Sequence, residues 1–243
     1  MVAEILKKAA PAAAPTPTAD QTPRTIPQVW VPGVAQALED EIFRGVYMRA
    51  GAAAPGVLAV TSAVPGEGTS TVALALSALI AHDFPARRVV YVETDFERPQ
   101  IAASLGLAPN PGLLECLVRD QVIREDAFRV TSLPNLQIVP AGGPDLNPTR
   151  WLVSRDIAET IGVLRRSHDL VVLDVPAITA QSGVLTLAGH ADRVLFVVRT
   201  GGAPQAVIQA AIAQLPPEKL SGVVMNAARS HVPGWVRRLA GLA

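Results

Sequence analysis

Cysteine, lysine and tyrosine are scarce in this chain of 243 residues. The single cysteine, Cys116, excludes an intrachain disulfide, and it excludes a cysteine-rich zinc site or an iron–sulfur cluster built by one chain. We expect Cys116 to be a small, buried, apolar residue. The formal net charge is zero, which gives no support for a protein that holds nucleic acid through phosphate charges. We therefore expect no nucleic acid among its partners.

Long apolar runs are also missing. No uninterrupted stretch reaches the ~20 residues that a membrane span requires, and residues 1–30 lack the apolar core of a secretory signal. Because 49% of the residues are apolar and only 17% are charged, the chain can nevertheless bury a large core. We expect a soluble, cytoplasmic protein.

Composition divides the chain into four segments. Residues 1–30 are rich in alanine and proline and are expected to form a flexible arm. Residues 31–55 hold a helix, predicted by the apolar spacing in residues 34–50, and a linker. Residues 56–230 alternate short apolar runs with amphipathic stretches. Residues 231–243 are amphipathic and suit a membrane surface, a partner or the chain's own domain.

The alternation in the third segment predicts an α/β fold. Its strands are apolar on both sides, which is typical of a doubly wound, mostly parallel sheet with helices on both faces. The predicted strands are residues 56–62, 88–93, 136–140, 170–174, 193–199 and 221–226. The predicted helices are residues 69–82, 99–105, 112–119, 148–166, 182–188 and 204–215.

A glycine-bearing turn joins the first predicted strand to the helix that follows it. Strand, turn and helix in this order form a phosphate cradle, because backbone N–H groups and the helix dipole converge on one anion. Compared with the phosphate-loop pattern G-x-x-x-x-G-K-[ST], Gly68 and Ser70 match the second glycine and the hydroxyl that binds Mg²⁺. Ala63 stands at the first glycine, and Thr69 stands at the lysine. The predicted phosphate-binding residues are Ala63, Val64, Pro65, Gly66, Glu67, Gly68, Thr69, Ser70 and Thr71.

Acidic residues follow two further predicted strands. Glu93 and Asp95 come at the end of the second strand, and Asp174 ends the fourth. Ligands of parallel sheets bind outside the carboxyl ends of the strands. We therefore predict Ser70, Asp95 and Asp174 as ligands of Mg²⁺. The catalytic candidates are Glu93, Asp95, Asp174 and Arg98.

Taken together, five stretches of the chain resemble the bacterial tyrosine kinases, the CpsD/CapB-type ATPases of capsule and exopolysaccharide assembly, which are related to the MinD/ParA ATPases. The stretches are residues 62–72, 89–99, 136–148, 171–176 and 222–226. The resemblance implies a P-loop NTPase fold, ATP or ADP with Mg²⁺ as cofactors, and Asn226 as the residue that meets the adenine. It also implies a partner, the cytoplasmic segment of an inner-membrane polysaccharide co-polymerase of the Wzz or chain-length-determinant type. The protein would then be peripheral at the inner membrane.

The chain departs from this family in its charged residues. Family members carry lysine where Thr69 stands, and an arginine where Glu97 stands. The three lysines of the chain, Lys7, Lys8 and Lys219, lie in the arm and before the last predicted strand, where none can replace the missing one. The resemblance therefore implies that the positive charge at the phosphates is lost.

Tyrosine is missing where the family places its phosphorylated cluster. The chain has only Tyr47 and Tyr91, neither of them near its end. Tyr47 also replaces the second arginine of the family's oligomer-forming E-x-x-R-x-x-R helix, in which Glu41 and Arg44 match. The expectation of a homo-oligomer rests on this partial match.

From these departures we expect a pseudokinase-like protein. It would resemble a protein-tyrosine kinase but have little or no kinase activity, with weak or lost binding of nucleotide and Mg²⁺, and would act as a regulatory or scaffolding partner in exopolysaccharide biosynthesis and export. One alternative is an active ATPase and tyrosine kinase in which an arginine such as Arg98 replaces the lysine. Another is a positioning ATPase of the MinD/ParA type, although Val64 stands where those enzymes have a lysine. A folded relative with no retained ligand is the last alternative.

Overall fold

The computed structural model of this protein describes residues 41–49, 51, 54–119 and 123–227. The predicted arm (residues 1–30), residues 31–40 of the second segment and the C-terminal segment (residues 231–243) lie outside the described residues.

Strands of the described chain form a single seven-stranded sheet. They are β1 (Gly56–Ser62), β2 (Val89–Glu93), β3 (Arg129–Val130), β4 (Leu136–Val139), β5 (Leu170–Asp174), β6 (Arg193–Arg199) and β7 (Leu220–Asn226). Their order in the sheet is β3-β4-β2-β5-β1-β6-β7, and every pair is parallel except β3 with β4. The predicted doubly wound, mostly parallel sheet is confirmed.

Helices cover both faces of this sheet. They are α1 (Glu41–Arg49), α2 (Thr69–Asp83), α3 (Ile101–Ser104), α4 (Leu113–Val118), α5 (Thr149–Leu152), α6 (Arg155–Ser167), α7 (Val184–Gly189) and α8 (Gln205–Ile212). Alternate residues of β1 belong to two apolar clusters, Val57 and Ala59 to one and Leu58 and Val60 to the other. The core is therefore double, with one layer on each face of the sheet.

One local prediction is wrong, and one strand was not predicted. Residues 148–166 form two helices instead of one, because Ser154 has an extended backbone and its hydroxyl accepts a hydrogen bond from the Ile157 N–H (3.2 Å), which starts α6. The short antiparallel strand β3 was not predicted, since two residues carry no recognisable alternation.

Helix α1 docks on the chain's own domain. The Arg44 guanidinium lies 2.9 Å from the Asp83 carboxylate, and the Tyr47 hydroxyl donates to the same carboxylate at 3.0 Å. The hydrogen bond from Arg44 is the main reason that the pKa of Asp83 falls to about 2. Two positions of the oligomer-like motif thus serve an intrachain contact.

Strand register brings the predicted site residues to one edge of the sheet. Asp174 at the end of β5 pairs in register with Val60 of β1 and with Glu93 of β2. The phosphate loop (residues 63–71) and the acidic loop after β2 (residues 94–98) therefore flank the Asp174 carboxylate. Among the residues that the structure describes, no helix is both long enough and apolar enough to cross a bilayer.

Candidate functional site

The turn after β1 has the backbone of a phosphate cradle. Gly66 (φ +85°) and Gly68 (φ +90°) adopt the left-handed conformation that favours glycine. Helix α2 begins at Thr69 with no side-chain cap and no acidic residue in its first turn. Since the first N–H groups of a helix have no partner within the helix, they point at any anion placed before it. The geometry of the predicted cradle is present.

Glu67 is buried beneath this turn, with 1% of its surface exposed. Its Oε2 accepts hydrogen bonds from the backbone N–H groups of Ala63 (3.0 Å) and Val64 (3.3 Å). Two of the predicted phosphate-binding amides are therefore already used by the chain's own carboxylate. Its Oε1 has no partner within the described part of the chain. The Glu67 carboxyl group therefore ties the loop to the residues that directly follow β1.

Asn226 fastens the end of β7 to the loop. Its Nδ2 donates to the Glu67 carbonyl (2.8 Å), and its Oδ1 accepts from the Ala227 N–H (2.8 Å). A Cβ at Gly68 would meet that Nδ2, and the left-handed backbone of this residue (φ +90°) also favours glycine. The predicted adenine-binding residue is thus hydrogen-bonded through both halves of its amide.

Replacing Asn226 with alanine is expected to lower the free energy of unfolding by about 1 kcal/mol, because one hydrogen bond to the loop is lost. Urea unfolding of the full chain measures this difference. Asn226→Asp keeps the size but puts an oxygen against the Glu67 carbonyl, and should cost at least as much. The exposed Asn147 provides a matched control, since Asn147→Ala should have little effect. Equal stabilities of Asn226→Ala and Asn147→Ala would contradict the role of Asn226.

Asp174 is the most buried of the predicted metal ligands, with 4% of its surface exposed. The hydroxyl of Tyr91 donates to its Oδ2 at 2.5 Å, and Ser70 is a second hydrogen-bonding partner. Burial raises the pKa of Asp174 to about 7, although both hydroxyls act in the opposite direction. Burial also raises the pKa of Tyr91, whose phenol therefore stays a neutral donor. Sequence reasoning did not identify Tyr91 as a member of the site.

The Glu93 carboxylate accepts hydrogen bonds from backbone N–H groups of two loops. Its Oε1 accepts from the backbone N–H groups of Gln100 (2.7 Å) and Ile101 (3.0 Å), where α3 begins. Its Oε2 accepts from the Ala141 N–H (3.0 Å) in the loop after β4. Burial raises the pKa of Glu93, and these three hydrogen bonds counteract that rise. Both oxygens of this catalytic candidate are thus committed to backbone.

A glutamine that the sequence did not suggest ties the acidic loop together. The Gln181 Nε2 donates to the Asp95 Oδ1 (3.2 Å) and to the Glu97 Oε2 (3.1 Å). The same Asp95 oxygen accepts from the Arg98 N–H (3.0 Å), while the Arg98 side chain is exposed. The Asp95 Oδ1 is therefore hydrogen-bonded to the backbone of its own loop and to Gln181.

Two of the three predicted metal ligands, Asp95 and Asp174, accept hydrogen bonds from other side chains of the site. Mg²⁺ requires oxygen ligands at roughly 2.0–2.1 Å in near-octahedral geometry. Ser70 and Asp174 lie together, but Asp174 accepts the Tyr91 hydroxyl and Asp95 accepts Gln181. Among the described residues, no group of three or more carboxylate, imidazole or thiol side chains is placed to hold a metal.

A cation that the sequence did not indicate lies at the loop. The Arg199 Nη1, at the end of β6, is 3.5 Å from the Gly66 carbonyl oxygen. In the sequence, only the position of Arg199 at the end of a predicted strand pointed to the site. Its approach to the phosphate loop could not be predicted, because β6 and that loop are far apart in the chain. Arg199 is thus a positive charge within reach of the cradle.

No family model matches the chain. Curated relatives do match. The chain is 30% identical over 175 residues to the succinoglycan biosynthesis transport protein ExoP of Rhizobium meliloti, which covers 70% of this chain and 22% of ExoP. It is 28% identical over 170 residues to the tyrosine-protein kinase YwqD of Bacillus subtilis, covering 69% of this chain and 70% of YwqD. The match therefore spans less than a quarter of ExoP but most of YwqD.

Solved structures show the same fold. The BceF tyrosine kinase domain superposes with a TM-score of 0.65 at 26% identity, over 79% of this chain and 76% of that domain. The septum site-determining protein MinD of Pyrococcus horikoshii, solved with Mg-ADP, superposes with a TM-score of 0.54 at 21% identity, over 75% of this chain and 76% of MinD. The predicted P-loop NTPase fold is confirmed.

Proposed function

Because this chain is a homologue of the bacterial tyrosine-protein kinases and has their fold, we propose that it is a pseudokinase-like protein of exopolysaccharide biosynthesis. It serves as a regulatory or scaffolding protein with little or no kinase activity. The role of its relative ExoP in succinoglycan biosynthesis transport supports this choice of pathway.

The observation that carries the proposal is a cradle that keeps its shape without its charge. The backbone of Gly66 and Gly68 and the uncapped start of α2 are in place. Thr69 brings no positive charge to the position where the family has lysine. In phosphoryl transfer, a cation at the transferring phosphate contributes roughly 10³–10⁵ in rate. The loop can bind phosphate weakly through its N–H groups and cannot supply that stabilisation.

The proposed partner is the cytoplasmic segment of an inner-membrane polysaccharide co-polymerase, which would hold the protein at the membrane periphery. ExoP is named as a transport protein, and it is more than four times longer than the region that matches this chain. Most of ExoP therefore lies outside the region that this chain matches.

Transfer of the γ-phosphate of ATP to tyrosine tests the proposal. The purified chain, given Mg-ATP and a tyrosine-containing polymer, is expected to label the polymer no faster than the variants Ser70→Ala and Asp174→Asn. YwqD, assayed in parallel, controls for the conditions. Transfer by the wild-type chain that either substitution abolishes would contradict the proposal.

Arg199 gives one specific reason to keep an active enzyme as the second candidate. Its guanidinium lies near the loop, 3.5 Å from the Gly66 carbonyl, and could approach a bound phosphate. If an arginine replaces the lysine, Arg199→Ala should abolish ATP turnover. Arg98→Ala tests the arginine that the sequence suggested. Absence of turnover in the wild-type chain would remove this candidate.

A further inference from the structure

We infer that Tyr91 takes the place of a divalent cation beside the phosphate loop, so that an anion bound there is held without Mg²⁺. The inference rests on the proposed function in one respect only, the retained anion site. It makes Tyr91 a positioning residue that decides which ligands the loop accepts.

The position of Tyr91 follows from the sheet. Tyr91 lies on β2, which is the direct neighbour of β5, and it pairs in register with Val172, two residues before Asp174. Because alternate residues of a strand face the same side, the side chains of Tyr91 and Asp174 both face the layer covered by α2. The hydroxyl thus reaches the carboxylate from within the core.

Burial makes this contact hard to replace. Tyr91 has no exposed surface, and its ring belongs to the apolar cluster under α2. A buried carboxylate is costly unless a cation or hydrogen-bond donors compensate it. At Asp174 the hydroxyls of Tyr91 and Ser70 supply that compensation. A metal ion at the Asp174 Oδ2 would have to displace the Tyr91 hydroxyl, which would be left buried without a partner.

Hydrogen bonds also engage the neighbouring carboxylates of Glu93 and Asp95. Glu93 accepts three backbone hydrogen bonds, and Asp95 accepts the Arg98 N–H and the Gln181 amide. Removing the phenolic oxygen of Tyr91 frees the Asp174 Oδ2, which lies next to Ser70.

Binding of Mn²⁺ alone to Tyr91→Phe is the direct experiment. Loss of the EPR signal of free Mn²⁺ is followed for the wild-type chain, for Tyr91→Phe and for Tyr47→Phe. The last is a matched control, because Tyr47 also donates from a buried phenol to a carboxylate, that of Asp83, at 3.0 Å. We expect Tyr91→Phe to bind Mn²⁺ at least about tenfold more tightly than the other two. Saturable binding by the wild-type chain, or equal binding by all three, would overturn the inference.

Titration with ADP separates this inference from the proposed function. In the wild-type chain the affinity for ADP is expected to be the same with Mg²⁺ as with EDTA, and in Tyr91→Phe it should rise about tenfold with Mg²⁺. A similar rise in the wild-type chain would overturn the inference. If no variant binds ADP, the retained anion site fails, while the Mn²⁺ result still decides the role of Tyr91.

Discussion

Lysine in place of Thr69 is expected to tighten the binding of ADP by roughly 10- to 100-fold, because a charge-assisted hydrogen bond to a phosphate contributes about 1.5–3 kcal/mol. The cradle around this position keeps its left-handed glycines and its uncapped helix start. A lysine here would lie on an existing framework and need no new backbone geometry. Calorimetric titration of the full chain with ADP, with and without Mg²⁺, measures the change.

Two controls separate position from charge. Thr71→Lys adds the same charge two residues further along α2, and Thr69→Gln adds length without charge. Only Thr69→Lys should bind ADP roughly 10- to 100-fold more tightly than the wild-type chain. Equal gains by both lysine variants would show a general electrostatic effect, and no binding by Thr69→Lys would indicate a folded relative with no retained ligand.

The stability of the protein is expected to depend on pH through Asp174. Burial raises its pKa from 3.8 to about 7, so the folded chain binds this proton more tightly than the unfolded chain does. The stability that protonated Asp174 contributes is therefore fully present below about pH 4 and is lost as the pH rises towards 7. A shift of this size corresponds to at most about 4 kcal/mol.

Asp174→Asn removes this titration while keeping an oxygen that can accept the Tyr91 hydroxyl. Relative to the wild-type chain, the variant should therefore gain stability between pH 4 and pH 8, measured by urea unfolding at a series of pH values. Asp145→Asn is the matched control, because hydrogen bonds, first that of Trp151, lower the pKa of Asp145 to about 2. Its contribution is lost only as the pH falls towards 2, so its difference from the wild-type chain should stay constant over the same range. A constant difference for Asp174→Asn as well would contradict the expectation.

The order of elements and the position of the phosphate loop could be predicted from the sequence. Strands buried on both faces appear as short apolar runs, and the turn before α2 is marked by Gly66 and Gly68. Both are local features of the chain. The division of residues 148–166 into two helices was missed, although Ser154 is a residue type that caps helices, because the apolar pattern runs on across it.

Only the tertiary structure decided what each polar residue of the site contacts. The chain separates Tyr91 from Asp174 by 83 residues, and they meet because β2 and β5 are neighbours in the sheet. Likewise Glu93 reaches the Ala141 N–H, and Gln181 reaches Asp95, across loops from different strands. The sequence by itself determined the phosphate loop and the absence of lysine within it. Strand order and register determined that the Tyr91 hydroxyl donates a hydrogen bond to the Asp174 carboxylate next to that loop. The sequence could not show this contact, because the two residues lie on strands that are far apart in the chain.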